Sequence, residues 1–440
     1  MTHLRRTLAG TLHVIGGESL LRLANAGVAV LIGRLYGATT LGLCATILAV
    51  STIAERLADN GLEMTGIAEI SQQPKRLSEV ASALYVDKLI LSAITAAILL
   101  SLAFIIGLSP LGWSVGLLFG LRTFLYSFSR LHAGFLKAIG RTKQIVRVQS
   151  LHFVLLLLGL LAVYAARLPL RSLLLLLVAA QSAEFLLSLL VLRRFGARAT
   201  SVRSGFCWNL FRRSTVVGAV YSLSTVMLRG DVVVLSLLVS PAVVGTFAAA
   251  NSALVMVYVV AWLFSGLLVA DLGRLSSDQK SLATHFRRCL VVLLILGVSS
   301  SVLAALLAPR AIEILFGNPF RSAILPAVIM LLAIPFILLN AAFLARAIAR
   351  DAVQSSLAIY LAAAFLSLAL NFLLGRTYGA TGVAASIVLR EAAMTLAFLR
   401  RREWPTAAHP EFSKTRHSGG SPRQEESLIP SFTENLKGNF

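Results

Sequence analysis

The sequence predicts an all-α polytopic membrane protein of about twelve spans, arranged as two parallel six-helix bundles. Three observations carry this expectation: an apolar composition, basic residues confined to alternate connections, and an internal repeat. Of the 440 residues, 57% are hydrophobic and 13% charged, with a mean hydropathy of +0.83. A soluble domain carries about 25% charged residues. Apolar stretches of about 20 residues recur over the first 400 positions, each long enough to cross about 30 Å of hydrocarbon as a helix. A spanning β-barrel would alternate apolar and polar positions, which a run such as Leu173 to Ala180 does not do.

Taken in order, the spacing predicts helices near 14–34, 40–60, 82–107, 111–133, 145–166, 170–193, 214–239, 242–270, 286–308, 323–346, 353–374 and 380–400. Arg5 and Arg6 precede the first apolar run and Ala24-Asn25-Ala26 offers a cleavage triplet, but Glu18 and Arg22 interrupt the run, so a retained first helix is expected. Gly107-Leu108-Ser109-Pro110 and Ser240-Pro241 supply tight turns, because proline lacks the donor that would continue a helix.

Lysine and arginine divide 23 against 6 between the two sets of short connections. By the positive-inside rule the basic set, which includes Arg141, Arg193, Arg287 and Arg400, is cytoplasmic, and so are both termini. The same asymmetry accounts for most of the net charge of +21 without nucleic acid.

Leu131-His132-Ala133-Gly134-Phe135-Leu136 returns as Leu339-Asn340-Ala341-Ala342-Phe343-Leu344, and Leu41-Gly42-Leu43-Cys44-Ala45 parallels Val244-Gly245-Thr246-Phe247-Ala248. The offsets of 203 to 209 residues are half the membrane region, and equivalent spans keep the same orientation, as parallel repeats do. The expected units are therefore a bundle over 1–195, a basic linker over 196–213, a bundle over 214–402 and a polar, disordered cytoplasmic tail over 403–440.

An ionisable group inside a span is a functional candidate, because holding it there costs several kcal/mol. Glu18, Arg22 and Asn25 share one helical face, although Glu18 and Arg22 could equally form a local ion pair. Arg122, Tyr126 and Arg130 follow at i+4 spacing; Arg130 could snorkel to the interface, whereas Arg122 lies too deep to do so. Tyr221, Thr225 and Arg229 share a face from which Asp231 is rotated by about 200°, so Asp231 would pair, if at all, with an arginine of another span. Glu184 lies near Gln181, and Arg390 and Glu391, being adjacent, are expected to point apart.

Arginines outnumber acids in the deepest set. A guanidinium fork matches phosphate oxygens, which favours an anionic head group over an organic cation as cargo. The substrate-contacting candidates are Arg22, Asn25, Arg122, Tyr126 and Arg229, with Asp231, Glu184 and Glu18 as candidates for ion coupling. Cys44, Cys207 and Cys289 are scattered, with no metal-ligand spacing and no disulfide framework. No HExxH, GxSxG or Walker A pattern occurs, so no enzyme, metal or cofactor is expected. A membrane polymerase or acyltransferase would need an extended external loop, and the longest expected one runs only from Pro309 to Ser322.

Gly33-Arg34-Leu35-Tyr36-Gly37-Ala38 with Leu41-Gly42, Leu57-Ala58-Asp59-Asn60-Gly61-Leu62, Arg229-Gly230-Asp231 leading to Val244-Gly245-Thr246-Phe247, Ile314-Leu315-Phe316-Gly317, and Tyr378-Gly379-Ala380-Thr381-Gly382-Val383-Ala384 together span nearly the whole membrane region. In these the chain resembles the polysaccharide (O-antigen) flippases of the multidrug/oligosaccharidyl-lipid/polysaccharide (MOP) superfamily. The resemblance implies a MATE-like V of two bundles around a cationic cavity in a bacterial inner membrane. It also implies translocation of an undecaprenyl-pyrophosphate-linked oligosaccharide from the cytoplasmic to the periplasmic leaflet, alongside a polysaccharide polymerase and chain-length machinery. Within the superfamily, the alternatives are a cation-coupled multidrug exporter and a lipid II flippase.

Overall fold

The computed structural model describes residues 2–63, 66–67, 70, 77–106, 110–195, 208–274, 279–349 and 353–401, with side chains from Ala24 onward at most of these positions. The helices are α1 (Thr2–Asp59), α2 (Leu77–Ile106), α3 (Pro110–Ala138), α4 (Thr142–Ala165), α5 (Leu170–Arg194), α6 (Trp208–Leu238), α7 (Pro241–Arg274), α8 (Gln279–Phe316), α9 (Ile324–Leu331), α10 (Ile334–Ala349) and α11 (Val353–Arg400). Helix α6 starts inside the linker expected over 196–213, and the tail over 403–440 lies outside the described residues.

Two of these helices hold two expected spans each. Gly37, at φ 82°, breaks α1, and Gly379, at φ 58°, breaks α11. Both glycines take the left-handed conformation that side chains resist, so the chain reverses with almost no loop. The helical segments thus follow the expected order and positions. By length and composition seven of the described helices are able to cross a membrane, or eight if a bent pair counts as one span, and the expected twelve is not reached by that criterion.

Two expectations around α8 are corrected. Pro309 does not end the helix, which continues to Phe316 before Gly317 (φ 91°) and a 3-10 turn over Asn318–Ala323. The missing proline N–H costs one hydrogen bond, while Ile312 and Phe316 in the added turns are buried and Phe316 meets Phe320 at 5.2 Å between ring centroids. The expected 323–346 span is instead bent by 44° between α9 and α10. Pro335 cannot donate to the carbonyl of Leu331, four residues back. Ser301 Oγ of α8 donates to that carbonyl at 2.8 Å, so the break leaves it paired.

Within the first half α1 packs on α4 and α3 on α5; within the second, α7 packs on α10 and α6 on α11. The halves meet along the second segment of α1. At the face opposite the basic connections, a Cβ at Gly42 would collide with the carbonyl of Pro241, and one at Gly245 with the carbonyl of Ala38. Each glycine thus meets the carbonyl four residues before the other, a reciprocal Cα–H···O geometry open only to small residues. Arg34 donates to the carbonyl of Ile314 there, and Tyr36 to that of Leu168 at 2.6 Å. At the basic face, Gly61 and Gly218 leave no room for a Cβ, and Asn60 Nδ2 donates to Thr215 Oγ1 at 3.1 Å. Both ends of this segment are therefore closed against the second half.

Gly245→Leu should force the halves apart and lower the melting temperature of the purified protein, at an overpacking cost of about 1–3 kcal/mol. Gly116→Ala, where an added Cβ meets nothing within 4 Å inside a helix, should not lower the melting temperature and should raise it slightly.

Candidate functional site

The polar stripe of α3 faces away from its lipid-facing side. Leu117, Leu121 and Phe124 are exposed along one face, and Arg122, Tyr126 and Arg130 lie about 180° round the helix from them. Tyr126 is nevertheless 38% exposed and Arg122 half-buried, so this second face is accessible without being the lipid face.

Arg122 Nη2 donates to Asn25 Oδ1 of α1 at 2.7 Å. Among the described residues its guanidinium makes no ion pair. A neutral amide thus fixes Arg122, and the nearest carboxylate influence on it, that of Glu184, acts without direct contact. About two helical turns on from Arg122, Arg130 Cζ stands 5.9 Å from the Tyr126 ring centroid, while Nε and Nη2 both donate to Glu63 Oε2, at 3.0 and 2.9 Å. Arg130 is therefore anchored by a carboxylate. Tyr221 of α6 lies within electrostatic reach of Glu63, Arg56 and Arg130, which brings polar groups of the two halves together.

In the second half the centre is Arg390, which is 1% exposed. Its Nη1 lies 3.2 Å from Asp231 Oδ1, 3.1 Å from Ser367 Oγ and 2.7 Å from the Met227 carbonyl; Nη2 lies 3.0 Å from Tyr258 OH and 3.2 Å from Glu391 Oε1. Tyr258 OH donates to Glu391 Oε1 at 2.8 Å, and Asn340 Nδ2 to Glu391 Oε2 at the same distance. Asn371 Nδ2 donates to Asp231 Oδ1 at 2.7 Å. One cation thus sits between two carboxylates in a hydrogen-bonded core joining α6, α7, α10 and α11. Arg390 and Glu391 do not point apart as adjacency suggested, because both side chains turn into the bundle on either side of Tyr258.

In the first half, Glu184 Oε2 accepts from Gln181 Nε2 at 2.7 Å and lies 2.5 Å from His152 Nδ1. The void beside it, lined by Ser129, Gln149 and Ser188, measures about 10 Å³, room for one water at most. Lys88, fully buried in α2, donates to Asp59 at 2.6 Å. Among the described residues no three metal-ligating side chains converge.

Of the expected residues, the structure joins Asn25 and Arg122 with Tyr126 beside them. Arg229 is half-buried on the helix face of Tyr221 and Thr225, turned from Asp231, which is paired with Arg390 instead. Glu184 is bound to Gln181 and His152 and lies within electrostatic reach of Arg122. The side chains of Glu18 and Arg22 lie outside the described residues. Sequence reasoning missed the Asp59–Lys88 and Glu63–Arg130 pairs and the hub role of Arg390. The signal for the first was present, since Asp87-Lys88 interrupts an apolar span and Asp59 lies in a motif at a span end.

A family profile described as "Polysaccharide biosynthesis protein" matches residues 7–268. No curated protein matches the chain. Among solved structures, the inward closed conformation of the lipid II flippase MurJ is similar at a TM-score of 0.68 and 13% identity, over 89% of this chain and 87% of that one. An inward-facing multidrug-resistance MATE transporter of the MOP superfamily gives 0.67 and 16%, over 86% and 93%. A MOP superfamily transporter from Pyrococcus furiosus, for which a reversed polarity of the binding pocket is reported, gives 0.60 and 15%, over 90% and 94%. At these identities the likeness establishes a shared fold.

Breaking the buried hub should be costly. Arg390→Ala leaves two carboxylates without their cation and should lower stability by about 3–5 kcal/mol, read as thermal melting in detergent. Asp231→Asn, which keeps hydrogen-bonding capacity, should cost clearly less.

Proposed function

The chain belongs to the family of polysaccharide biosynthesis proteins, and on that premise we propose that it translocates an undecaprenyl-pyrophosphate-linked oligosaccharide from the cytoplasmic to the periplasmic leaflet of a bacterial inner membrane. It is a multi-pass membrane protein with the fold of the MOP transporters and flippases. In this reading the basic face is cytoplasmic, both termini lie on that side, and the bundles over 1–195 and 214–402 are the two moving bodies. A polysaccharide polymerase and chain-length machinery would act on the product.

The supporting observation is Arg122. Its guanidinium is held in place by a neutral amide, makes no ion pair among the described residues, and lies on an accessible face turned from lipid. A guanidinium fork held in this way suits a pyrophosphate, whose oxygens take parallel N–H donors. Tyr126 supplies a phenol beside it, and Arg229 and Arg22 would complete the cationic lining. Alternating access then requires the contacts at Gly42–Gly245 and at Gly61–Gly218 to separate in turn.

The fold also hosts a multidrug transporter and a lipid II flippase. In a cation-coupled exporter Asp231, Glu184 or Glu18 would exchange the ion. Asp231 held by Arg390, and Glu184 held by His152 and Gln181, fit structural roles better. Proton-driven dye efflux from proteoliposomes would favour the exporter.

Arg122→Ala and Arg229→Ala should each reduce glycan export on the order of tenfold to a hundredfold, the weight of one or two charge-assisted hydrogen bonds. Protein levels should hold while the lipid-linked intermediate accumulates on the cytoplasmic leaflet. Unchanged export in both variants, or unchanged surface polysaccharide on deletion of the gene, would overturn the reading.

A further inference from the structure

On the basic face of the second half, away from the contact between the halves, an open hollow of about 260 Å³ lies between α8, α10 and the end of α11. Arg287 of α8, Arg346 of α10 and Arg401, just past the end of α11, line it. Its floor is aromatic. Phe286 and Phe343 stand 5.7 Å apart, Phe343 and Phe398 stack at 5.3 Å, and Arg346 Cζ lies 4.8 Å above the Phe286 ring. Such stacking engages the flat face of the guanidinium and orients its N–H edge, the side that grips phosphate oxygens.

The surroundings say what kind of phosphate fits. Arg287 heads a stripe at i+4, i+7 and i+11 formed by Val291, Leu294 and Val298, which are exposed by 52%, 45% and 47%. The eleven residue steps from Arg287 to Val298 rise about 16 Å, close to the roughly 15 Å of one leaflet's hydrocarbon. Leu399, 57% exposed, flanks the hollow from α11. A soluble phosphate would gain nothing from this apolar strip, whereas a phospholipid places its head among the arginines and its acyl chains along the stripe.

We propose that this hollow binds the headgroup of an anionic glycerophospholipid of the phosphatidylglycerol or cardiolipin type. Basic recesses between helices at the membrane surface select such lipids by charge, and acyl-chain contact adds to the binding. The site is separate from the Arg122 stripe and does not depend on what the protein transports.

The test uses the full chain purified in a neutral detergent and titrated with cardiolipin, phosphatidylcholine or inorganic phosphate, with bound lipid read by native mass spectrometry and stability by thermal melting. Cardiolipin should be retained and should raise the melting temperature; phosphatidylcholine should do neither. The triple variant Arg287→Gln, Arg346→Gln, Arg401→Gln should lose cardiolipin retention by at least about tenfold. A control with Arg147→Gln, Arg193→Gln and Arg194→Gln, which removes equal charge from the first half, should keep it. If the triple variant fails to fold, Arg287→Gln alone, at an exposed position, should show the same loss to a smaller degree. Undiminished retention in the variant that folds, equal loss in the control, or displacement of cardiolipin by millimolar phosphate would overturn the proposal.

Discussion

The contact on which the arrangement depends is the backbone-to-backbone crossing of Gly42 and Gly245. These glycines stand at equivalent places in the two halves of the sequence, so the crossing joins each half to the other through the same surface. A side chain on either would separate the helices, and with them the tether that Arg34 makes to the carbonyl of Ile314 in the other half. The other end of the same helical segment is held at Gly61 and Gly218. In a membrane, where apolar burial gives little drive for one helix to seek another, close approach of small residues is a main source of helix association. It is also an association that can be undone without stripping large side chains from each other.

The charged residues inside the helices fall into two physical classes. Arg390, Lys88 and Arg130 each meet at least one carboxylate, and around Arg390 further hydroxyl and amide partners complete the shell. Such groups are the answer to the cost of removing a charge from water. Among the described residues Arg122 forms no ion pair; an amide fixes its position, and Glu184 acts on it only from a distance. The distinction separates residues that hold a bundle together from the residue on which the proposed anion site is built.

Much of this was legible in the sequence. Apolar length and basic asymmetry placed the helical segments in order, and the repeat of Leu41-Gly42 as Val244-Gly245 marked the pair that meets at the crossing. The i+4 spacing of Arg122, Tyr126 and Arg130 identified the accessible stripe, because that spacing is local. What escaped was set by tertiary context. Pro309 looks like a helix end, yet the buried Ile312 and Phe316 beyond it outweigh one lost hydrogen bond. Arg390 and Glu391 look divergent on a helical wheel, yet long side chains flanking Tyr258 converge. The partners of Asp231 come from α11, more than a hundred residues away, and no local pattern announces them.

The difference between the paired cations and Arg122 has an electrical consequence. A Lys88–Asp59 or Arg130–Glu63 pair moving as a unit carries no net charge, so a voltage across the bilayer does little work on it. An uncancelled guanidinium feels that voltage, at about 2.3 kcal/mol per 100 mV for a complete crossing and proportionally less for a shorter path. Under the proposed rocking of the halves, Arg122 would carry charge through part of that field, and an anion seated on it would reduce or reverse the charge carried.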